Sequence, residues 1–437
     1  MWGQTETDEP PRRVLPLLLV GYAAFYLCRA NVEPALNLLA IEYGYDNEQL
    51  GMVMAVALGA YAGGKLVLGP LADLWGGKRV LVASLFGTAL VSFAIAALDA
   101  PRRFGPETGL VVIGALAVVN RFVQAGGWGS VVHVVSVTFG TARRGTVMGL
   151  LSTSYDLGNV LALVLSAAIV EAGFGWRGLF VVNPLIVVLV AMIVRMGLPT
   201  TPVVRPAVDA GASVDAAQPP AKAPFTEIAL RLAREPSLWF AAALSFLLTF
   251  VRAAFMTWTP RFLYEVSLAA HVTSPVSTSI AKSAFFGGAG IIGSIVTGRI
   301  SDHLGPGRRA PVMTTSLALL FTCTLLLAHA GVSSPLLATI GVAACGLFLL
   351  GPYSLLAGAV SLDVAGPRGA ATAAGFIDAV GYVGASLAAF ALGSVSKRAG
   401  WTAAFDIVAG ATLAALVVAA IWSTRGDRAV PGSVPAR

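Results

Sequence analysis

The chain has 437 residues, 57% hydrophobic and only 12% charged, with a mean hydropathy of +0.80. Ordinary soluble domains carry about 25% charged residues, so disorder, collagen and a disulfide scaffold are excluded and a soluble enzyme with two buried cores nearly so. The net charge of +7 reads as the basic excess of cytoplasmic loops rather than a nucleic-acid footprint, and a polytopic membrane protein is expected.

The head carries Glu6, Asp8 and Glu9 before Pro10-Pro11, with no basic n-region, so the first apolar run is expected to stay in the mature protein. About 20 apolar residues cross a bilayer as a helix. Runs of that kind fall near 14–39, 50–70, 80–98, 109–138, 145–171 and 176–196, then 238–263, 276–298, 310–330, 335–361, 369–395 and 401–423. This predicts an all-α fold of twelve transmembrane helices in two six-helix bundles, 1–197 and 236–437. Between them, 198–235 is Pro/Ala-rich with scattered charges and reads as a cytoplasmic linker, Phe225 to Arg234 forming a short interfacial helix. With both termini inside, Lys78-Arg79, Arg143-Arg144, Arg231, Arg234 and Arg308-Arg309 are cytoplasmic. Fewer basic residues, among them Arg102-Arg103, Arg177, Arg261, Lys282 and Lys397-Arg398, lie outside. Cys28, Cys323 and Cys345 fall inside apolar runs and read as inert thiols.

Internal repetition supports the division. Gly69-Pro70-Leu71-Ala72-Asp73-Leu74-Trp75-Gly76-Gly77-Lys78-Arg79 recurs as Gly298-Arg299-Ile300-Ser301-Asp302-His303-Leu304-Gly305-Pro306-Gly307-Arg308, each copy after the second run of its half. Arg29-Ala30 pairs in the same way with Arg252-Ala253, Gly158 with Gly384, and Trp176 with Trp401. A duplicated six-helix unit resembles the major facilitator superfamily, and the resemblance covers the whole chain. The Gly-x-x-x-Asp-x-x-Gly-x-Lys-Arg loop is similar to that superfamily's signature. Asp73 suits a neighbouring helix N-terminus, Lys78 and Arg79 suit the cytoplasmic surface, and Asp302 is the second-half counterpart. Together they read as a charge latch that forms when the inner gate shuts.

Two other matches are helix-packing faces. Gly59-x4-Gly64-Lys65 has Leu66 where a phosphate loop needs Ser or Thr, and Gly288-x-Gly290-x-x-Gly293 lies within a membrane helix.

Intramembrane charge carries the functional reading. Arg29 and Arg252 stand at equivalent points of the two halves, so pseudo-two-fold symmetry brings them to opposite walls of one cavity. An anion between them relieves their repulsion, and a phosphate accepting from each guanidinium fork suits that geometry best. Lys65 adds a point charge. The competing reading pairs these cations structurally with Glu33, Asp156 or Asp378.

Gly21-Tyr22-Ala23-Ala24-Phe25-Tyr26-Leu27-Cys28-Arg29-Ala30-Asn31, with Leu50-Gly51, Tyr61 and Lys65, resembles the organophosphate:phosphate antiporter family. Gly126-Gly127-Trp128, Trp258-Thr259-Pro260 after Arg252, Gly351-Pro352 and Thr372 to Phe376 with Gly381-Tyr382 match as well. The resemblance implies that Arg29 and Arg252 grip phosphate and that Lys65, Tyr22, Tyr26, Tyr61 and Tyr382 line the cavity. It also implies exchange of inorganic for organic phosphate as the two halves rock. There are departures. Tyr155, followed by Asp156, replaces the family's helix-5 histidine, Leu151 and Ser152 replace aromatic and amide positions, and Leu350 replaces a helix-10 tyrosine. Asp156, Tyr155, Arg121, Asp378 and Glu33 are therefore candidates for coupling. His271, His303 and His329 read as solvated, and His133 as packed.

The leading expectation is a monomeric secondary transporter for an organic anion in the bacterial inner membrane, coupled to inorganic phosphate or a proton. No cofactor, metal or nucleic acid is implied. The alternatives are a proton-coupled organic-anion or drug efflux carrier and a membrane-embedded anion sensor. An enzyme is not expected, since no nucleophile set or metal cluster stands at a membrane face.

Overall fold

In hydrocarbon every backbone N–H and C=O must be satisfied within its own segment, so long apolar runs become helices. The computed structural model describes residues 13–139, 141–199, 234–304, 309–355 and 361–426. Among the described residues the regular structure is helical throughout. The first half contains α1 (Val14–Leu27), α2 (Val32–Tyr43), α3 (Asn47–Trp75), α4 (Gly77–Leu98), α5 (Ala100–Phe104), α6 (Pro106–Gln124), α7 (Gly126–Thr138), α8 (Thr141–Glu171) and α9 (Gly175–Gly197). The second half contains α10 (Pro236–Ala269), α11 (Pro275–Leu304), α12 (Arg309–His329), α13 (Pro335–Leu355) and the helical segment α14 (Ser361–Gly426).

Among the described residues, eleven helical stretches are long and apolar enough to span a membrane, against the twelve runs expected. The difference lies in α14, which carries the last two runs and has Gly400 at φ +80°. Before that residue, a methyl group at Gly381 would touch Ser245 of α10, and one at Gly393 would touch Trp258. After it, Trp401 packs back edge-on against Trp258 and Phe262, and Phe405 stacks on Phe255. The chain therefore reverses at Gly400, a left-handed position that glycine takes without strain, and α14 crosses twice. Of the expected linker, only Leu198, Pro199, Arg234 and Glu235 belong to the described residues, and the expected helix at Phe225 to Arg234 lies outside them except for its last residue.

The first crossing is broken. α1 ends at Leu27 and α2 begins at Val32, so the turn at Cys28–Asn31 frees carbonyls in mid-span. Side chains from α6 satisfy them. Gln124 Nε2 donates to the Cys28 carbonyl at 3.0 Å, and Arg121 Nη2 donates to the Arg29 carbonyl at 3.2 Å. Arg29 thus sits at a break that two neighbours hold open.

The two halves approach most closely where α3 crosses α14. A methyl group on Gly51 would stand 2.7 Å from the Ala389 carbonyl oxygen and 3.3 Å from the Gly393 Cα. Gly51→Val is expected to push α3 and α14 apart at this end while leaving each half folded. Spin labels at the exposed positions Met52 and Leu387 should report a longer, broader distance than in the parent. An unchanged distribution would show that this end tolerates the bulk.

Candidate substrate-binding site

One cavity of about 70 Å³ lies between the halves, and both Arg29 and Arg252 line it. Arg252 is well inside the 34-residue α10 and is 5% exposed. Its guanidinium carbon lies 3.9 Å from the centre of the Tyr155 ring and 4.5 Å from that of Tyr353. Two rings hold the planar fork by cation–π contact, yet Nε and Nη2 have no hydrogen-bond partner. Arg29, 8% exposed, donates from Nε to Gln124 Oε1 at 2.9 Å and from Nη1 to the Tyr26 hydroxyl at 3.1 Å. Its guanidinium also rests 4.3 Å from the centre of the Tyr61 ring. Neither arginine has a carboxylate partner among the described residues.

The other buried cations are neutralised. Arg121 and Glu33, both on the cavity wall, form an ion pair at 3.1 Å. Lys65 pairs with Asp378 across the two halves, its ammonium 5.1 Å from the Tyr61 ring centre and 4.7 Å from that of Tyr382. Since these pairs cancel, the cavity is left with two uncompensated guanidiniums. Burying such charge is costly unless an anion enters.

Of the aromatic candidates, Tyr61, Tyr155 and Tyr382 line the cavity. Tyr61 and Tyr382 meet across the halves with ring centres 4.7 Å apart. Tyr26 and Tyr22 lie behind Arg29. Tyr26 packs on Tyr155 at 4.6 Å, and the two hydroxyls of Tyr22 and Tyr26 are 3.3 Å apart. Asp156 is outside the cavity lining, in the α8 segment that packs against Gly287 of α11, and has no ion pair among the described residues. The side chains of Asp73 and Asp302 lie outside the described set. Lys78 donates to the Leu198 carbonyl at the start of the linker, and Arg79 is exposed.

Sequence reasoning missed two groups. Tyr353 occupies the face of Arg252 one turn from Leu350, where a tyrosine was expected; its place after Gly351-Pro352 was the available signal. A polar latch between halves was read only as loop charge. Asn47 Nδ2 donates to Ser396 Oγ at 3.1 Å, and Arg261 donates to Asn47 Oδ1 at 3.1 Å and to Asn37 Oδ1 at 3.0 Å. Glu48 pairs with Lys397 at 3.1 Å and Arg398 at 2.7 Å, while Lys397 also reaches Asp46 at 2.9 Å. The α3 helix rises about 1.5 Å per residue, so Tyr61 lies about 21 Å inside this latch.

Comparison with known proteins agrees with this architecture. A profile described as "Major Facilitator Superfamily" matches residues 18–389 and 274–437. The chain is 25% identical over 421 residues to the glycerol-3-phosphate transporter of Bacillus subtilis (strain 168), covering 94% of this chain and 92% of that one. It is 26% identical over 327 residues to a probable hexose phosphate transport protein of Chlamydia pneumoniae, with 71% and 68% covered. A phosphoglycerate transporter protein of Salmonella typhimurium is 26% identical over 378 residues, with 80% and 78% covered. Among solved structures, a bacterial homologue of the human lysosomal transporter Spinster superposes with a TM-score of 0.69 at 16% identity over 95% of this chain and 96% of that chain. The nucleoside transporter NupG superposes with 0.68 at 15% identity over 94% and 99%. The fold and relatives define a multi-pass membrane transporter rather than an enzyme. The chain belongs to the major facilitator superfamily, and the sequence relatives named above are transporters of phosphorylated compounds, which is consistent with the resemblance drawn from the sequence.

Proposed function

We propose that this transporter carries an organic phosphate across the membrane in exchange for inorganic phosphate, by alternating access. The observation that carries the reading is the pair of buried guanidiniums, Arg29 and Arg252, lining one cavity, neither with a carboxylate partner among the described residues. Each offers a donor fork matched to phosphate oxygens. The halves 1–197 and 236–437 are the rocking bodies, both termini are cytoplasmic by the distribution of basic residues, and a monomer suffices because the cavity is built within one chain. Closure of the latch at Asn47, Glu48 and Arg261 seals the outward end in this state.

The test is counterflow in proteoliposomes preloaded with unlabelled phosphate. Labelled phosphate should accumulate transiently, and external glycerol 3-phosphate or hexose 6-phosphate should suppress it. Accumulation that ignores both compounds would overturn organic phosphate exchange. A second reading, coupling to a proton, is favoured by Asp156, which lacks an ion-pair partner among the described residues. Under it, Asp156→Asn loses gradient-driven uptake while keeping exchange. Under the first reading the parent shows no gradient-driven uptake, and exchange persists in the variant.

A further inference from the structure

From the arginines the cavity continues toward the latch, and its chemistry changes on the way. α8 and α10 both contribute to the cavity wall and meet where the Tyr155 ring lies on the Arg252 guanidinium and its hydroxyl donates to Met256 Sδ at 3.1 Å. One turn beyond Tyr155 stands Asn159, two turns beyond Arg252 stands Thr259, and Ser283 of α11 faces the same space. Thr259 is 2% exposed, and its hydroxyl has no hydrogen-bond partner. Asn159 is 6% exposed, and Leu163, Phe255 and Phe286 complete the wall.

The four charged lining residues are Arg29, Glu33, Arg121 and Arg252. None belongs to this arm, and Arg121 is already neutralised by Glu33. Seven residues of helix separate Arg252 from Thr259, about 10 Å along the axis, a separation that matches the length of a phosphate followed by a short carbon chain.

We propose that this arm holds the uncharged, hydroxylated part of the cargo, with Thr259 and Asn159 hydrogen-bonding its hydroxyls. The carrier then selects phosphate monoesters of short neutral polyols over phosphorylated carboxylates. This rests on the phosphate reading above. A hydroxyl entering the arm satisfies Thr259, whereas a carboxylate is stripped of water with no free cation to receive it. A site built around buried hydrogen-bonding groups rejects cargo that leaves them unpaired.

The experiment is competition against labelled-phosphate counterflow, with glycerol 3-phosphate, 3-phosphoglycerate and unlabelled phosphate titrated in parallel. The readout is the half-inhibiting concentration of each ester relative to that of phosphate. This ratio is internal to each variant, so a general loss of folded carrier cancels. The parent should favour glycerol 3-phosphate over 3-phosphoglycerate by at least about 10-fold, one buried hydrogen bond being worth about that factor. Thr259→Val should shift the glycerol 3-phosphate ratio by about 10-fold in the unfavourable direction, and Thr259→Ser should restore it. Asn159→Leu should act in the same direction. A parent that prefers 3-phosphoglycerate, or a Thr259→Val ratio equal to the parent's, overturns the assignment. Absence of phosphate counterflow in the parent instead overturns the phosphate reading on which it stands.

Discussion

Arg252→Lys is expected to lower phosphate exchange by about 100-fold, nearly as much as Arg252→Ala, corresponding to about 2.7 kcal/mol. The residue keeps its charge in this change and loses its shape. In the parent, Tyr155 and Tyr353 clamp the guanidinium plane from 3.9 Å and 4.5 Å, which aims the unpartnered Nε and Nη2. A lysine ammonium is a compact point charge without a plane to clamp or a fork to present. Arg29→Lys should behave alike, since its plane rests on Tyr61 and its Nε is fixed by Gln124. Initial rates of labelled-phosphate counterflow, normalised to the amount of reconstituted protein, check both. Near-parental affinity in either lysine variant would remove the two-fork clamp.

The second large effect is on stability. Arg121→Leu leaves Glu33, 10% exposed in its side chain, without its ion-pair partner and leaves the Arg29 carbonyl with only the longer bond from the Val32 N–H at 3.4 Å. Removing one member of a buried pair destabilises by about 3–5 kcal/mol, because the remaining charge is stranded. The double variant Arg121→Leu/Glu33→Leu should regain most of that loss, since neither charge is then buried alone. It should not regain transport, because the break that positions Arg29 loses one of its two supports. Thermal unfolding midpoints in detergent for the two single variants and the double variant give the comparison. If Arg121→Leu melts with the parent, the pair contributes nothing to the break.

Much of the architecture was legible in the sequence because two simple constraints govern it. Bilayer thickness sets the length of each apolar run, and duplication repeats the loop at Asp73 near Asp302. The equivalence of Arg29 and Arg252 followed from that repeat, and it places both on one cavity. What the sequence concealed depends on direction within the helices. Glu33, Asp156 and Asp378 looked interchangeable as partners for the cations. Only helix rotation distinguishes Glu33, which meets Arg121, and Asp378, which meets Lys65, from Asp156, which meets neither. Tyr353 was hidden for the same reason: one helical turn carries it to the place where position 350 was being read. The latch was missed because Glu48 lies near 350 residues before Lys397 and Arg398, and nothing local connects them. Gly400 had no apparent role until its left-handed backbone showed where a continuous helical segment turns back.

The uncompensated charge of the cavity has an electrical consequence. With Lys65–Asp378 and Arg121–Glu33 each summing to zero, the described residues of the empty site carry two positive charges, and a doubly ionised phosphate monoester or phosphate brings them to neutrality. Under the exchange reading, an unloaded carrier switching its access would transfer those two charges between the potentials of the two aqueous phases. That transfer is opposed or driven by about 2.3 kcal/mol per charge for each 100 mV, in addition to the expense of leaving both guanidiniums dry. A loaded carrier switches with no such burden. Return without cargo is therefore the slow path, so strict one-for-one exchange needs no separate lock, and the exchange of one dianion for another is insensitive to membrane voltage.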